Sequence, residues 1–335
     1  MSKAIGIDLG TVNTVICLKS KGVVLSTPTL IAVKHDSGEI VAVDADALAM
    51  LGKAPKGIDV VKPLQNGVIS NPTLTAKLIR GLFEHTNTIS FFSRPTVVIC
   101  VPYNITELEK KAVEDAVFAA GARSVALIEE PLAAAIGIGL NVQNNSGTLL
   151  VDIGGGTTEA SVISLGGVVK SNADRVAGNS FDEAIVSYLV RKRGIRIGET
   201  QAEFLKKKIG SAHPSHDNGV MEISGHSLEN MLGVTMKIHS HEIREAITPC
   251  LDRIIVTIKK TLEETPPELS SDIFDRGIVL TGGGALLPGI DRLLTEQTKL
   301  KVRIARYPLY SVCLGIHKII QTEGNLDNLL QARGR

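Results

Sequence analysis

Tryptophan is absent from the 335-residue chain, and aromatic residues make up only 3% of it. A surface built to stack bases or sugars needs aromatic platforms, so such a surface is not expected here. Neither sign of charge dominates: 36 Lys and Arg stand against 35 Asp and Glu, a net charge of +1. No whole-molecule field therefore points to nucleic acid or to an acidic lipid surface, and no basic run would make a local one. The four cysteines, Cys17, Cys100, Cys250 and Cys313, are scattered in apolar neighbourhoods without metal-ligand or redox spacing. They read as buried thiols in a reducing compartment. No signal peptide is visible, and no segment approaches the roughly 18 apolar residues of a membrane span. The expectation is a cytoplasmic protein that is soluble or lies on a membrane surface.

What the chain does have is length for two cores, and an internal echo that supplies them. Ile5-Gly6-Ile7-Asp8-Leu9-Gly10-Thr11 is an apolar strand ending in Asp, followed by a Gly-Thr turn. Leu149-Leu150-Val151-Asp152-Ile153-Gly154-Gly155-Gly156-Thr157 repeats that design. Each is followed by a second apolar stretch, Thr14 to Leu18 and Ala160 to Leu165, then by a glycine turn and a third strand. Two copies of one supersecondary unit predict two related domains.

Between the copies, strand and helix alternate. Thr96 to Val101 is a buried strand stopped by Pro102, and Thr106 with Glu109 forms a capping box for a helix ending near Gly121. Val125 to Ile128 is a short strand, Pro131 opens a small-residue helix through Ile136, and Thr148 to Ile153 returns to the sheet. In the second half, Phe181 to Arg193 and Gln201 to Ile209 predict helices, and Met221 to Ile238 short strands. A long helix is expected over Glu242 to Glu264 with a kink or break at Pro249, ended by Pro266-Pro267. Gly277 to Thr281 reads as a strand, Gly282-Gly283-Gly284 as a turn, and Leu286 onward as another helix, with a loosely held polar tail after Thr322.

Phosphate needs convergent backbone N–H donors, and glycine lets a chain approach that closely. A hairpin with Asp before a Gly-Thr turn supplies such donors together with a carboxylate for a hydrated metal. Two copies are hard to explain as mere hairpins. Gly10, Thr11, Val12 and Asn13 would hold one side of a nucleotide's phosphates, and Gly154, Gly155, Gly156 and Thr157 the other. Beside them, Gly282, Gly283, Gly284 and Ala285 read as a platform under base and ribose, although alone they would be a plain strand-to-helix turn. Glu130 opens a helix of very small residues. It either offsets the helix dipole, or it orients a water that attacks the γ-phosphate.

In their order, these motifs resemble the actin, sugar-kinase and heat-shock ATPase superfamily, and most closely the bacterial actins of the MreB/Mbl family. The resemblance runs from about residue 4 to 321. It is carried by Lys21-Gly22-Val23-Val24-Leu25, Gly67-Val68-Ile69, Ile128 to Gly137, Asp152 to Glu159, Thr265-Pro266-Pro267-Glu268-Leu269 and Asp275 to Leu287. It implies an α/β actin-like ATPase fold: two duplicated α/β domains around a central nucleotide cleft, in four subdomains. The first domain would cover 1–145, with a small subdomain inserted at about 33–65 and a helix 311–321 packing back on it. The second would cover 146–310, with an insertion at about 181–243.

The cofactors it implies are ATP and Mg²⁺, with Asp8 and Asp152 holding the metal through water and Glu130 and Thr157 orienting the attacking water. Glu203 and Lys206 match positions that contact the adenosine. The activity implied is slow ATP hydrolysis coupled to polymerisation. The partners would be the chain itself in homopolymer filaments, the inner face of the cell membrane, and the cell-wall elongation machinery that maintains a rod shape. A monomeric ATPase or small-molecule kinase of the same fold, and a segregation- or division-type bacterial actin, are the alternatives. Asn66, Asn71, Asn179 and Ser224-Gly225-His226 depart from the family pattern, none at a phosphate or metal position.

The apolar loop Ile89-Ser90-Phe91-Phe92 is a candidate membrane contact, with inward packing of both phenylalanines the equal alternative. Two phenylalanines in lipid supply about 3–6 kcal/mol. One subunit would bind marginally and a filament firmly, so attachment should follow polymerisation. His213, His216, His239 and His241 lack further ligands at metal spacing and read as surface histidines, and Lys206-Lys207-Lys208 as a solvated helix face.

Overall fold

The apolar run Ala4–Leu9 forms a strand buried along most of its length, flanked antiparallel by Asn13–Leu18 and parallel by Thr96–Val101. It is the centre of a five-stranded sheet ordered Ser124–Glu129, Thr96–Val101, Ala4–Leu9, Asn13–Leu18, Gly22–Pro28. In this computed structural model, residues 4–89 and 94–322 are described, and the chain divides into two compact units. The first comprises 4–144, 165–167 and 309–322 of those residues, and the second 145–164 and 168–308.

The crossover from Thr96–Val101 to its parallel neighbour Ser124–Glu129 runs through the helix Glu107–Ala119. The predicted capping box opens it. Thr106 Oγ1 accepts the Glu109 N–H at 3.2 Å, and Glu109 Oε2 accepts the Thr106 N–H at 2.7 Å. The helix Pro72–His85 buries Leu78, Ile79, Leu82 and Phe83 against the same core as Ile5, Ile7 and Ile99. The segment carries no predicted element. In the fold Asn71 Oδ1 accepts the Leu74 N–H at 3.0 Å and Pro72 occupies the first turn, where its missing N–H costs nothing. A three-stranded sheet of Ile40–Val43, Ile31–Lys34 and Ile58–Val61, with the helix Asp44–Met50, forms a smaller layer.

The second unit repeats the large sheet. Its order is Gly167–Asp174, Thr158–Ser164, Thr148–Ile153, Ile278–Thr281, Val302–Ile304, the same succession of three strands followed by two parallel ones. Its core is built from Leu149, Val151, Phe181, Ile185, Leu189, Ile243, Ile247, Ile254 and Leu280. A second small sheet contains Ile195–Arg196, Val220–Ser227 and Gly233–His239.

Three expectations are corrected. Of the kink or break expected at Pro249, the break is absent: the helix Ser240–Glu263 continues through it. Pro249 and Glu245, whose carbonyl loses its partner there, are both exposed, so water can satisfy the orphaned group. Pro267 does not only end a helix; it opens the next, Pro267–Arg276. Finally, Leu286 ends a short 3₁₀ turn, Gly283–Leu286, and the α-helix begins at Ile290 after Pro288-Gly289.

Candidate functional site

The two predicted hairpins close in the same way. The Gly10 N–H donates to the Asn13 carbonyl at 3.1 Å, and the Gly154 N–H to the Thr157 carbonyl at 2.9 Å. Asp8 faces Val15 across its hairpin and Asp152 faces Glu159, so each Asp stands two residues before the turn glycine. A Cβ on Gly10 would lie 2.7 Å from the Asn13 oxygen, which is why this tight turn needs glycine.

In the first unit, Thr11 does not present its hydroxyl outward. Its Oγ1 accepts the Gly67 N–H at 2.9 Å and the residue is buried. Thr29 supports the turn from behind: its hydroxyl donates to the Gly10 carbonyl at 2.8 Å and its N–H to the Val12 carbonyl at 2.8 Å. Asn66, one of the departures from the family pattern, holds a left-handed conformation with φ 51° immediately before Gly67. Asn tolerates this better than most residues.

The Cys100 thiol donates to Asp8 Oδ1 at 3.4 Å. Burial pushes the Asp8 carboxyl up to about 6, with the thiol bond pulling it partly back. Burial, followed by the charges of Asp8 and Glu130, pushes the Cys100 thiol well above its usual range. Asp8, Cys100 and Glu130 therefore form one neighbourhood. Glu130 is the first residue of the helix Glu130–Gly137 and lines a cavity of about 30 Å³ with Leu9, Gly67, Cys100, Pro102 and Ile105. The sequence reading placed all four cysteines in apolar surroundings. Cys100 has a carboxylate partner instead, and Cys250 is only half-buried.

In the second unit, three segments meet at the Asp152–Thr157 loop. The Gly178 N–H donates to the Gly154 carbonyl at 3.1 Å, and the Asn179 N–H to the Gly155 carbonyl at 2.8 Å. Gly282, with φ 80°, lies so close that a Cβ would stand 2.4 Å from the Ile153 carbonyl and 2.6 Å from Asp152 Oδ1. Gly284 presses on Ile153 in the same way, with a Cβ position 2.2 Å from its Cγ2. Gly283 and Ala285 continue this platform as the 3₁₀ turn.

Lys206 forms the third approach. Its Nζ donates to the Gly178 carbonyl and to Asp182 Oδ2, both at 2.8 Å. This corrects the solvated-face expectation for that residue, while Lys207 and Lys208 are exposed. Burial raises the Asp182 carboxyl to about 6, with Lys206 partly offsetting it, and Asp182 Oδ1 has no hydrogen-bond partner among the described residues. Glu203 pairs with Lys207 at 2.6 Å on the same helix, Glu199–Ile209. Thr29, Gly67, Gly178 and Asp182 were missed from sequence. The Asp182 position had a signal, four residues after Gly178 and so one helical turn beyond it.

Among the described residues no group of three or more His, Cys, Asp or Glu is arranged to hold a metal directly. His213 is not simply a surface residue: its side chain is largely covered and its Nε2 lies 3.2 Å from Glu296. His239 and His241 stack on each other with centroids 5.5 Å apart. No helix of the described residues is long and apolar enough to cross a membrane. Phe91 and Phe92 lie outside the described residues.

Known proteins resemble the chain over nearly its whole length. The profile of the MreB/Mbl protein family matches residues 2–328. The cell shape-determining protein Mbl of Bacillus cereus is 41% identical over 328 residues, 98% of each chain. The cell shape-determining protein MreB of Escherichia coli is 43% identical over 325 residues, 96% of this chain and 94% of that one. Crystal structures of MreB5 of Spiroplasma citri bound to ADP and to AMPPNP superpose with TM-scores of 0.92 and 0.93 at 34% and 35% identity. They cover 98% of this chain and 98% and 99% of theirs.

Proposed function

This chain belongs to the MreB/Mbl family and has its actin-like fold, and from that premise we propose that it is an ATP-dependent, filament-forming bacterial actin. The single observation that carries the nucleotide reading is the pair of hairpins closed by the same hydrogen bond, each with an Asp at the same register. The Gly10–Asn13 and Gly154–Thr157 turns take the phosphates, and the Gly282–Ala285 platform with Glu203 and Lys206 takes the adenosine. The nucleotide-bound state of MreB5 supports this.

Magnesium fits the residues present. The Asp8 carboxyl is half-buried with a thiol as its described partner, and burial raises it to about 6, so a cation nearby would relieve its charge. Asp8 and Asp152 are hard oxygen donors of the kind that hold hydrated Mg²⁺. The metal would neutralise charge on the phosphates. Glu130 and Thr157 orient the attacking water, which makes hydrolysis a slow timer on the polymer. Acting at the inner membrane face, through Phe91 and Phe92, the filament organises cell-wall synthesis and rod shape. The relatives' names, cell shape-determining proteins, support the cell-shape part of that reading.

The test is sedimentation with lipid vesicles over a range of protein concentrations, with and without ATP–Mg²⁺. Wild type is expected to pellet above a critical concentration. Phe91→Ser/Phe92→Ser should assemble off lipid, and Glu130→Ala should assemble without releasing phosphate. Nucleotide binding without assembly at any concentration would end the filament reading and redirect the search to a small phosphate acceptor.

A further inference from the structure

Glu130 is carried by a helix of only eight residues whose N-cap, Glu129, makes no side-chain capping bond. A helix that short has little stability of its own, so its place is set by what packs on it. The packing partner is the helix Ser311–Gln321, and two glycines set the contact reciprocally. A Cβ on Gly315 would lie 1.8 Å from the Ala133 carbonyl oxygen, and a Cβ on Gly137 1.8 Å from the Ser311 carbonyl oxygen. Ala133 is one turn beyond Glu130. At the far end of the short helix, Lys318 Nζ donates to the Ile136 carbonyl at 2.8 Å and to the Gly137 carbonyl at 3.1 Å. The Ile136 carbonyl also accepts the Gly139 N–H at 3.1 Å, and a cation at these last carbonyls suits the helix dipole.

The same helix is indexed to the strand that carries Asp8. A Cβ on Gly6, two residues before Asp8 and on the same face, would meet Ile316 Cγ2 at 2.4 Å. Gly137 and Gly315 thus let the two helix backbones meet directly, and Gly6 lets the Ile316 side chain reach the strand's backbone. We propose that Ser311–Gln321 is a template fixing the spacing between Asp8 and Glu130, with Gly315 and Lys318 as positioning residues for hydrolysis. The inference rests on Glu130 being the residue that orients the attacking water. Neither positioning residue acts on the nucleotide itself. Their loss should slow the chemical step and leave nucleotide affinity in place, since a displacement of about 1 Å at a catalytic group can cost on the order of a hundredfold.

Single-turnover ATP hydrolysis and AMPPNP affinity, measured on the full chain, test it. Gly315→Ala should slow hydrolysis roughly ten- to a hundredfold with AMPPNP affinity within about twofold of wild type. Lys318→Met should slow it on the order of threefold, and Lys318→Arg should restore the rate. Ile254→Val, a core loss in the second unit outside the proposed template, should keep the wild-type rate. Wild-type hydrolysis by Gly315→Ala, or an equal loss in Ile254→Val, overturns the proposal. If Gly315→Ala does not fold, Lys318→Met decides, and a wild-type rate there overturns it. Glu130→Ala separates the two levels: if it hydrolyses ATP normally, the role of Glu130 fails and the inference fails with it. If it is inactive while the positioning variants are normal, only the inference fails.

Discussion

Replacing Asp8 with Asn should make the nucleotide-free protein more stable at neutral pH while removing Mg²⁺-dependent nucleotide binding. Burial raises the Asp8 carboxyl from 3.8 to about 6 in the folded chain. Below pH 4 it is protonated in both folded and unfolded states and contributes no pH dependence. Between pH about 4 and about 6 the unfolded chain gives up the proton and the folded chain keeps it, so stability falls as pH rises. Above pH 6 the full penalty is in place, at most about 3 kcal/mol at one pKa unit per 1.36 kcal/mol, since Asp8 is only half-buried. For a unit of this size that corresponds to roughly 6–12 °C in melting temperature. Asn retains an oxygen to accept the Cys100 thiol but never ionises. Thermal melts of both proteins from pH 4 to 8, without nucleotide or metal, should therefore diverge as pH rises, with Asp8→Asn the more stable at pH 7.5. Asp182, also raised to about 6, titrates in both proteins and cancels in the difference. Parallel curves, or a less stable variant at pH 7.5, would refute the account of Asp8 as a buried carboxylate awaiting a cation.

At Gly282 a methyl group faces both a left-handed φ of 80° and the Ile153 carbonyl at 2.4 Å. Gly282→Ala should cost about 1–3 kcal/mol of stability and weaken nucleotide binding at least tenfold, read by thermal shift and by titration with a fluorescent ATP analogue. Thr106→Ala removes the capping bonds of the helix Glu107–Ala119. It should lower the urea midpoint by an amount equivalent to about 1 kcal/mol, with slope and ATP affinity unchanged.

The parts of the fold legible in the sequence are those where local chemistry and tertiary structure agree. The Thr106 box, the buried strand Thr96–Val101 and the two Asp-to-glycine hairpins each carry their instruction within about ten residues. Proline is hard to read where its effect depends on its surroundings. Pro72 and Pro267 open helices because a preceding residue leaves the chain extended, and Pro249 sits within one where it and Glu245 are exposed, so water can reach the lost bond. At the site, the loops themselves could be named, but not the residues that hold them. Thr29 reaches Gly10 across 19 positions, Gly67 reaches Thr11 across 56, and Cys100 reaches Asp8 across 92. Those partners become neighbours only when the sheet forms, and nothing in their own surroundings marks them. Asn66 and Asn71 are the reverse case. They stand out in the sequence only as departures from the family pattern, yet one occupies a left-handed turn and the other caps a helix.

The repeated sheet has one pair of matched positions that no longer match. The fourth strand in each copy, Thr96–Val101 and Ile278–Thr281, ends at the same topological place. In one copy the chain continues through Pro102 into an apolar pocket wall, and in the other through Gly282-Gly283-Gly284 against the Asp152 hairpin. Proline brings no amide hydrogen, whereas the glycines bring three and allow the closest approach. Under the proposed nucleotide reading, two like hairpins suit a phosphate chain, but a single adenosine calls for only one base-side turn. The Pro102 corner then carries no such duty, and its missing amide hydrogen would cost the binding nothing.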